Sequence, residues 1–517
     1  MAPRVAFGVG VVVLVTLVLY GAPVPRLSEE LYLPLVRHTG NTAYLATDWT
    51  LRGPFAEHWV FDHAFGWLAA ALPLPLFAWV GRLVSWSVLA WLLIRLGARL
   101  GAGTTIATTG ICLWLVANQS FVGGDWMFGT FEAKTIGYCL LVAALLLATG
   151  RRVGWALALL GAAVSFHPGV GLWSGLGLGL TLLALPEPRR HARRWAPVGI
   201  LLALPGVVGA LSAGDFHSDR LTRFLVVEAV PYHADPLFGG TRLPGLQIII
   251  HVGALVAMFA ANWWWARRAG PAEAFAHRVL LGVQIVTMGA VVLAFVARGV
   301  HWWSFLVLSP MRVGPLIVAL VFFVNIARQI AEVRSREHTR TWWRRRSWGL
   351  AVFALAIALV ITAPLLAAPR MVARTIASWT HPDDEVSAFH WIRAHTPKTT
   401  SCVVPIDRQD AFMQSERPIV VNWQAIRYDD LNGWHRRVTE LVGGDRYFSN
   451  PHAPGRIAGR RGGDLEAMRG AYNALSQRAI VSQAHKYHAT CIVATTGYQL
   501  PIWHRIGRVR VYRLDHN

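Results

Sequence analysis

A carboxylate set among aromatic residues near a membrane surface can have a raised pKa and take a proton from an attacking hydroxyl. Asp48, followed by Trp49, is such a group. It lies in a polar stretch, residues 23–63, that also holds Glu57, His58, Asp62 and His63. These neighbours have the right types to contact an acceptor, and equally to solvate the loop and cap its helices. A second cluster runs from Gly123 to Lys134 and contains Asp125 and Glu132. Lys134 stands out because only three of the 49 Lys and Arg residues are lysines. An ammonium there can hold a phosphate oxygen, pair with Glu132, or snorkel to an interface. His167 precedes Pro168, which interrupts a helix either to line a polar cavity or to make a plain turn. His301 and Arg312 form a further group, with Arg312 expected about two turns into an apolar helix. A guanidinium at that depth needs a carboxylate or a phosphate as partner. Asp215, His217 and Asp219 are spaced like ligands of a divalent ion, although helix capping explains them as well.

These groups need elements to hold them. The 517-residue chain is 54% hydrophobic and 15% charged, with a mean hydropathy of +0.40. Soluble domains carry about a quarter charged residues. The deficit, and apolar runs long enough to cross a bilayer, predict a polytopic α-helical membrane protein with about eleven transmembrane helices. The spans are expected near 4–21, 75–97, 104–121, 134–149, 153–167, 169–185, 196–213, 245–265, 278–298, 304–327 and 348–367, with a short interfacial helix over 64–73. Pro23 after Gly21 and Ala22 makes a poor cleavage site, so the first span is expected to be retained.

Arginine sets the expected orientation. Arg95 and Arg99, Arg151 and Arg152, residues 187–195, Arg267 and Arg268, and residues 328–346 all fall on one side. The positive-inside rule makes that side cytoplasmic, together with the N-terminus. The loop 23–63, residues 121–133, His167, residues 214–243 and 298–303, and the C-terminal region then lie outside. The same loop clusters account for the net charge of +21 without a nucleic-acid partner.

The composition changes near residue 369, dividing a membrane domain (1–368) from a C-terminal domain (369–517). Helices are expected over 383–395, 429–442 and 465–488, and strands over 401–405, 418–422, 491–495 and 509–514, which makes a small α/β domain. Residues 450–463, rich in Gly, Arg and Pro, read as a loop. Cys112 and Cys139 read as core residues. Cys402 and Cys491 could pair if the domain is outside the cytoplasm, though spacing alone does not decide it. The domain carries no nucleotide, zinc or serine-nucleophile motif and reads as a substrate-binding or packing unit.

Asp48-Trp49, Phe131-Glu132 with Lys134, His167-Pro168, and the stretch Trp423 to Leu441, set in this architecture, resemble the GT-C superfamily of integral membrane glycosyltransferases. The resemblance spans the whole chain as architecture and looks closest to bacterial GT-C-like membrane proteins, which implies a bacterial inner membrane as the location. It implies an extracytoplasmic C-terminal domain, a polyprenyl-phosphate-linked sugar as donor substrate, no certain cofactor, and a glycan, lipid or protein acceptor alongside membrane lipids. It implies Asp48 as the base, and Lys134, Arg312 and His167 as holders of the lipid phosphate. His58, Asp62, His63, Asp125, Glu132 and His301 are its further candidate substrate contacts. Many members carry two neighbouring acids in the first loop. Here Thr47 and Trp49 flank Asp48, which argues against a divalent metal. A transporter or flippase of a lipid-linked or anionic solute, and a non-catalytic scaffold with this fold, are the alternatives.

Overall fold

Apolar residues recur on helix after helix through the first two thirds of the chain. The computed structural model describes residues 3–53, 58–120, 122–123, 125–212, 219–237, 244–335, 368–380, 383–444 and 465–514. Six helices there are long and apolar enough to cross a membrane: α1 (Pro3–Tyr20), α4 (Leu74–Arg99), α9 (Pro186–Ser212), α12 (Pro244–Arg268), α13 (Pro271–Gly299) and α15 (Gly314–Ser335). Four shorter apolar helices join them: α5 (Thr104–Val116), α6 (Ala133–Thr149), α7 (Val153–Phe166) and α8 (Pro168–Ala184). These helices mark a membrane protein. The span expected at 348–367, which completes the expected total of about eleven, lies outside the described residues. So do Glu57, Asp215, His217 and the loop 450–463.

Small residues let the helices approach closely. A Cβ on Gly161 of α7 would stand 2.1 Å from the Gly199 carbonyl oxygen of α9. Helix α7 packs on α6, α8 and α9, while α15 packs on α5, α12 and α13.

The tenth span departs from expectation. In place of one helix over 304–327 there is a short α14 (Trp303–Val307), an irregular segment, and then α15. Ser309 has φ +53°, Pro310 removes a backbone donor, and Pro315 sits at the start of α15. Arg312 therefore belongs to an unwound segment and not to a helix.

The first polar loop also holds more structure than expected. Helix α2 (Glu29–Gly40) was hidden by Pro34 in its interior. Acidic Glu29 and Glu30 in its first turn, and Arg37 and His38 in its last, suit the helix dipole. Helix α3 (Trp59–Ala71) starts earlier than the expected interfacial helix and packs on α2, where a Cβ on Gly40 would stand 2.0 Å from the Gly66 carbonyl oxygen.

Glu29 ties these pieces together. Its Oε1 accepts from Arg82 Nε of α4 at 2.7 Å and from the Phe131 amide at 2.7 Å. Its Oε2 accepts from the Arg26 amide at 3.1 Å and from Arg82 Nη2. Arg82 also donates to the Ala22 carbonyl at 2.7 Å, and both side chains are fully buried.

The C-terminal domain carries a four-stranded sheet, β1 (Cys402–Val403), β2 (Cys491–Ala494), β3 (Ile502–Ile506) and β4 (Val509–Arg513), in the order β1-β2-β4-β3. β1 and β2 run parallel and the other pairs antiparallel. Cys402 and Cys491 face each other in register and form a disulfide. A crosslink closing an 89-residue separation restricts the unfolded chain by about 4–5 kcal/mol in the loop-entropy account. The expected strand 418–422 is reduced to one parallel bridge between Cys402 and Ile419. The helical stretch 465–488 is two helices, Leu465–Asn473 and Gln477–Lys486. β3 was not expected; it pairs with β4 across a tight turn that uses Gly507 at φ +52°.

The domain shares cores with the membrane part. Leu31, Leu35, Leu45 and Leu51 of the first loop pack with Phe389, Val404, Phe412 and Ile419. Leu221 and Leu225, beyond α9, pack with Trp423 and Trp434. Breaking a buried ion pair by removing one partner leaves an uncompensated charge and costs about 3–5 kcal/mol. Arg82→Ala should therefore lower the melting temperature of the detergent-purified protein far more than the exposed-site control Arg151→Ala. Equal shifts would show that the Glu29–Arg82 pair does not hold the loop.

Candidate active site

The residues between α5 and α6 fold into a compact turn because Gln119 organises it. Its Oε1 accepts from the Met127 and Phe128 amides at 2.8 and 3.0 Å, and its Nε2 donates to the Phe128 carbonyl at 3.1 Å. Asp125 and Glu132 are thereby held beside Lys134 in the first turn of α6. Lys134 Nζ lies 3.3 Å from Asp125 Oδ1 and 3.4 Å from Glu132 Oε1, and 3.4 Å above the Trp126 ring. Tyr138 donates to Asp125 Oδ2 at 2.8 Å, and Thr130 donates to Glu132 Oε1 at 2.6 Å. Arg312 Nε comes within 3.6 Å of Asp125 Oδ2 from the unwound segment. Asp125, rather than Glu132, is thus the carboxylate facing Arg312. Asp125, Glu132 and Lys134 are each about 2% exposed. Buried charges persist where opposite charges meet in this way.

His167 closes one side of this set. It ends α7 and caps the start of α8, accepting from the Val170 amide at Nδ1 over 3.1 Å. That bond requires a bare Nδ1, so the hydrogen-bond network assigns the ring hydrogen to Nε2. Nε2 lies 3.4 Å from Arg312 Nη1, which can only donate. Two donors thus face each other, and an anionic oxygen set to one side, within reach of both, could accept from each. From the first loop, His58 brings its ring to 4.9 Å from His167, and Tyr32 meets it edge-on at 4.7 Å.

Asp62, His63, His301 and Asp219 come from other parts of the chain. Asp62 is buried in the first turn of α3. His63 is exposed and pairs its Nδ1 with the Trp59 carbonyl at 2.8 Å. His301 is exposed, at φ +60°, and stacks on Trp303. Asp219 starts a short helix, α10 (Asp219–Phe224). Among the described residues, no three His, Cys, Asp or Glu side chains group as metal ligands. Asp125 and Glu132 do not present a fitting pair for a divalent ion, because the Lys134 ammonium already bridges them.

Asp48 is fully buried and engaged on both oxygens. Oδ1 accepts from the Thr50 and Leu51 amides at 2.8 and 3.1 Å, and Oδ2 accepts from the Ile419 amide at 2.9 Å. It joins the first loop to the C-terminal domain, beside Arg427, which donates to the Trp49 carbonyl at 2.9 Å. None of its hydrogen-bond partners belongs to the charge cluster. Sequence reasoning passed over Glu29, Arg82, Tyr138 and Gln119. Arg82 and Glu29 were detectable, as an arginine inside an apolar span requires a partner.

The fold is similar to that of an archaeal oligosaccharyltransferase. The archaeal oligosaccharyltransferase AglB from Archaeoglobus fulgidus, in complex with an inhibitory peptide and a dolichol-phosphate, matches 95% of this chain over 69% of its own, with a TM-score of 0.50 and 13% identity. The Archaeoglobus fulgidus oligosaccharyltransferase in the apo form matches with the same coverages and TM-score at 14% identity. That enzyme is a GT-C superfamily member. A family model described as "Domain of unknown function (DUF6798)" matches residues 383–441, the part of the C-terminal domain that meets Asp48. No curated protein sequence matches the chain.

Burial pushes Asp48 up to about 6, against the opposing pull of the Ile419, Leu51 and Thr50 amides and of Arg437. Its unfolded value is about 3.9. The folded state then holds the proton more tightly, so the contribution of Asp48 to stability falls as pH rises from about 4 to about 6. The full difference is about 2–3 kcal/mol. Melting temperatures of wild type and Asp48→Asn, taken in steps from pH 4 to 7, should diverge across that window. Parallel profiles would contradict it.

Proposed function

We propose that the protein is a membrane glycosyltransferase that moves a sugar from a polyprenyl-phosphate donor to an acceptor on the extracytoplasmic face. The observation that carries this is the opposed donor pair of His167 and Arg312, held with Lys134 in a buried cluster on a GT-C-like fold. The dolichol-phosphate bound by the archaeal relative is consistent with a lipid-linked phosphate here. The arginine distribution and the Cys402–Cys491 disulfide support an extracytoplasmic C-terminal domain in a bacterial inner membrane.

In this reading the acceptor hydroxyl attacks the anomeric carbon while the bond from that carbon to the phosphate oxygen breaks. The electron pair leaves with the polyprenyl phosphate. Arg312, Lys134 and the His167 Nε2–H stabilise the departing charge. One displacement inverts the anomeric centre. The acceptor proton goes to a carboxylate. The sequence reading puts that base at Asp48, whose oxygens serve the contact between loop and C-terminal domain. Glu132 belongs to the cluster and takes no hydrogen bond at Oε2 from the described residues, so we assign it the proton and give Asp48 a positioning role. A transporter of a lipid-linked anion is the second reading. The broken tenth span favours it, because discontinuous helices often line transport sites.

Purified protein in sealed vesicles, given a radiolabelled polyprenyl-phosphate sugar and a hydroxyl acceptor, should transfer label. Arg312→Ala and Lys134→Ala should lower the rate at least about 100-fold, the scale of losing one transition-state donor. Glu132→Gln should be lower in kcat, and Asp48→Asn should retain transfer. Loss in Asp48→Asn with Glu132→Gln active would return the base to Asp48. Movement of label across the vesicle without glycosyl transfer would establish the transporter reading.

A further inference from the structure

The segment between α9 and α12 supplies a group that no sequence pattern marked. His233 lies in a single turn, α11 (Pro231–Ala234), and is 6% exposed. Its ring stands 4.3 Å from the Tyr232 ring and 6.2 Å from the Trp126 ring, the same indole that carries the Lys134 ammonium. Its Nδ1 is buried and takes no hydrogen bond among the described residues. Burial, and then the charges of Arg312 and Lys134 and the nearby His167, hold its pKa well below the ordinary imidazole range, so the ring is neutral. Leaving such an atom unpartnered costs about 1–3 kcal/mol. The ring that carries this orphaned nitrogen thus packs beside the indole on which the Lys134 ammonium rests, and it feels the charge of both Lys134 and Arg312.

We propose that His233 is a substrate-binding residue whose Nδ1–H donates to an oxygen of the donor's phosphate, completing the site formed by Arg312, Lys134 and His167. The inference rests on the phosphate-site reading given above. It adds a distinct physical element. A neutral donor of fixed direction contributes binding without adding charge to the buried cluster. It selects the tetrahedral arrangement of phosphate oxygens rather than negative charge alone.

The test is a titration of a polyprenyl monophosphate into the protein in lipid nanodiscs, with the matching polyprenol as control. Three variants separate the two ring positions. His233→Ala removes the donor, His233→Asn keeps an N–H near the Nδ1 position, and His233→Gln reaches instead toward the Nε2 position. Affinity for the monophosphate should fall at least about 10-fold in the Ala and Gln variants, the scale of one hydrogen bond to a charged group, and stay within about 3-fold in Asn. Unchanged affinity in His233→Ala, or equal losses in Asn and Gln, overturns the proposal. If the Ala variant does not fold, the Asn–Gln contrast decides. A wild type that binds monophosphate no better than polyprenol overturns the phosphate reading and this inference with it. A wild type that binds, with affinity lost in Arg312→Ala and kept in His233→Ala, overturns this inference alone.

Discussion

One buried carboxylate governs how the polar part of this protein is assembled. Glu29 takes four hydrogen bonds, two from Arg82 and one each from the Arg26 and Phe131 amides. An ionised pair removed from water is tolerated only when its remaining lone pairs and hydrogens are satisfied, and here they are. Because the four donors come from three separate stretches of chain, the pair converts desolvation into a positional constraint. Helix α2 is fixed against α4, and the strand of residues leading into Glu132 and Lys134 is fixed against both.

The charge cluster depends on a second irregularity, the break between α14 and α15. A continuous helix would have carried Arg312 on its own surface, with its direction set by the helix. Unwinding at Ser309 and Pro310 releases the backbone, so that the guanidinium meets both Asp125 and His167. Irregular backbone at such depth is sustained where protein or a polar cavity surrounds it. The break and the cluster are therefore one feature, each supplying the polar partners that the other lacks.

Much of the bundle was legible because long apolar runs are a strong signal: α1, α4, α6, α7, α8 and α12 fall close to the expected spans, while α9 starts at Pro186, inside the basic stretch expected as a loop, and α13 starts at Pro271. The grouping of Asp125, Glu132, Lys134, His167 and Arg312 was legible in part, since ionisable residues in apolar surroundings are costly to keep without partners. Helix α2 was not, because Pro34 argues against a helix when only local pattern is weighed. Asp48 looked like a catalytic acid because residue type and aromatic neighbours do not disclose which amides a carboxylate will meet. Its partner Ile419 lies 371 residues away in the sequence, beyond the reach of any local reading. His233 escaped for a similar reason: a histidine in a short loop turn has no periodicity, and its neighbours come from three other elements.

His167 occupies an unusual place, as both the last cap of α7 and the first cap of α8. No linker separates the two helices, so a change in their mutual tilt must be taken up by the backbone torsions of this one residue. Its imidazole is locked to α8 through the Val170 amide and faces Arg312 on the other side. The residue that joins the two helices is thus also the one that sets where Nε2 stands relative to the guanidinium, so the α7–α8 corner and the charge cluster share one pair of backbone torsions.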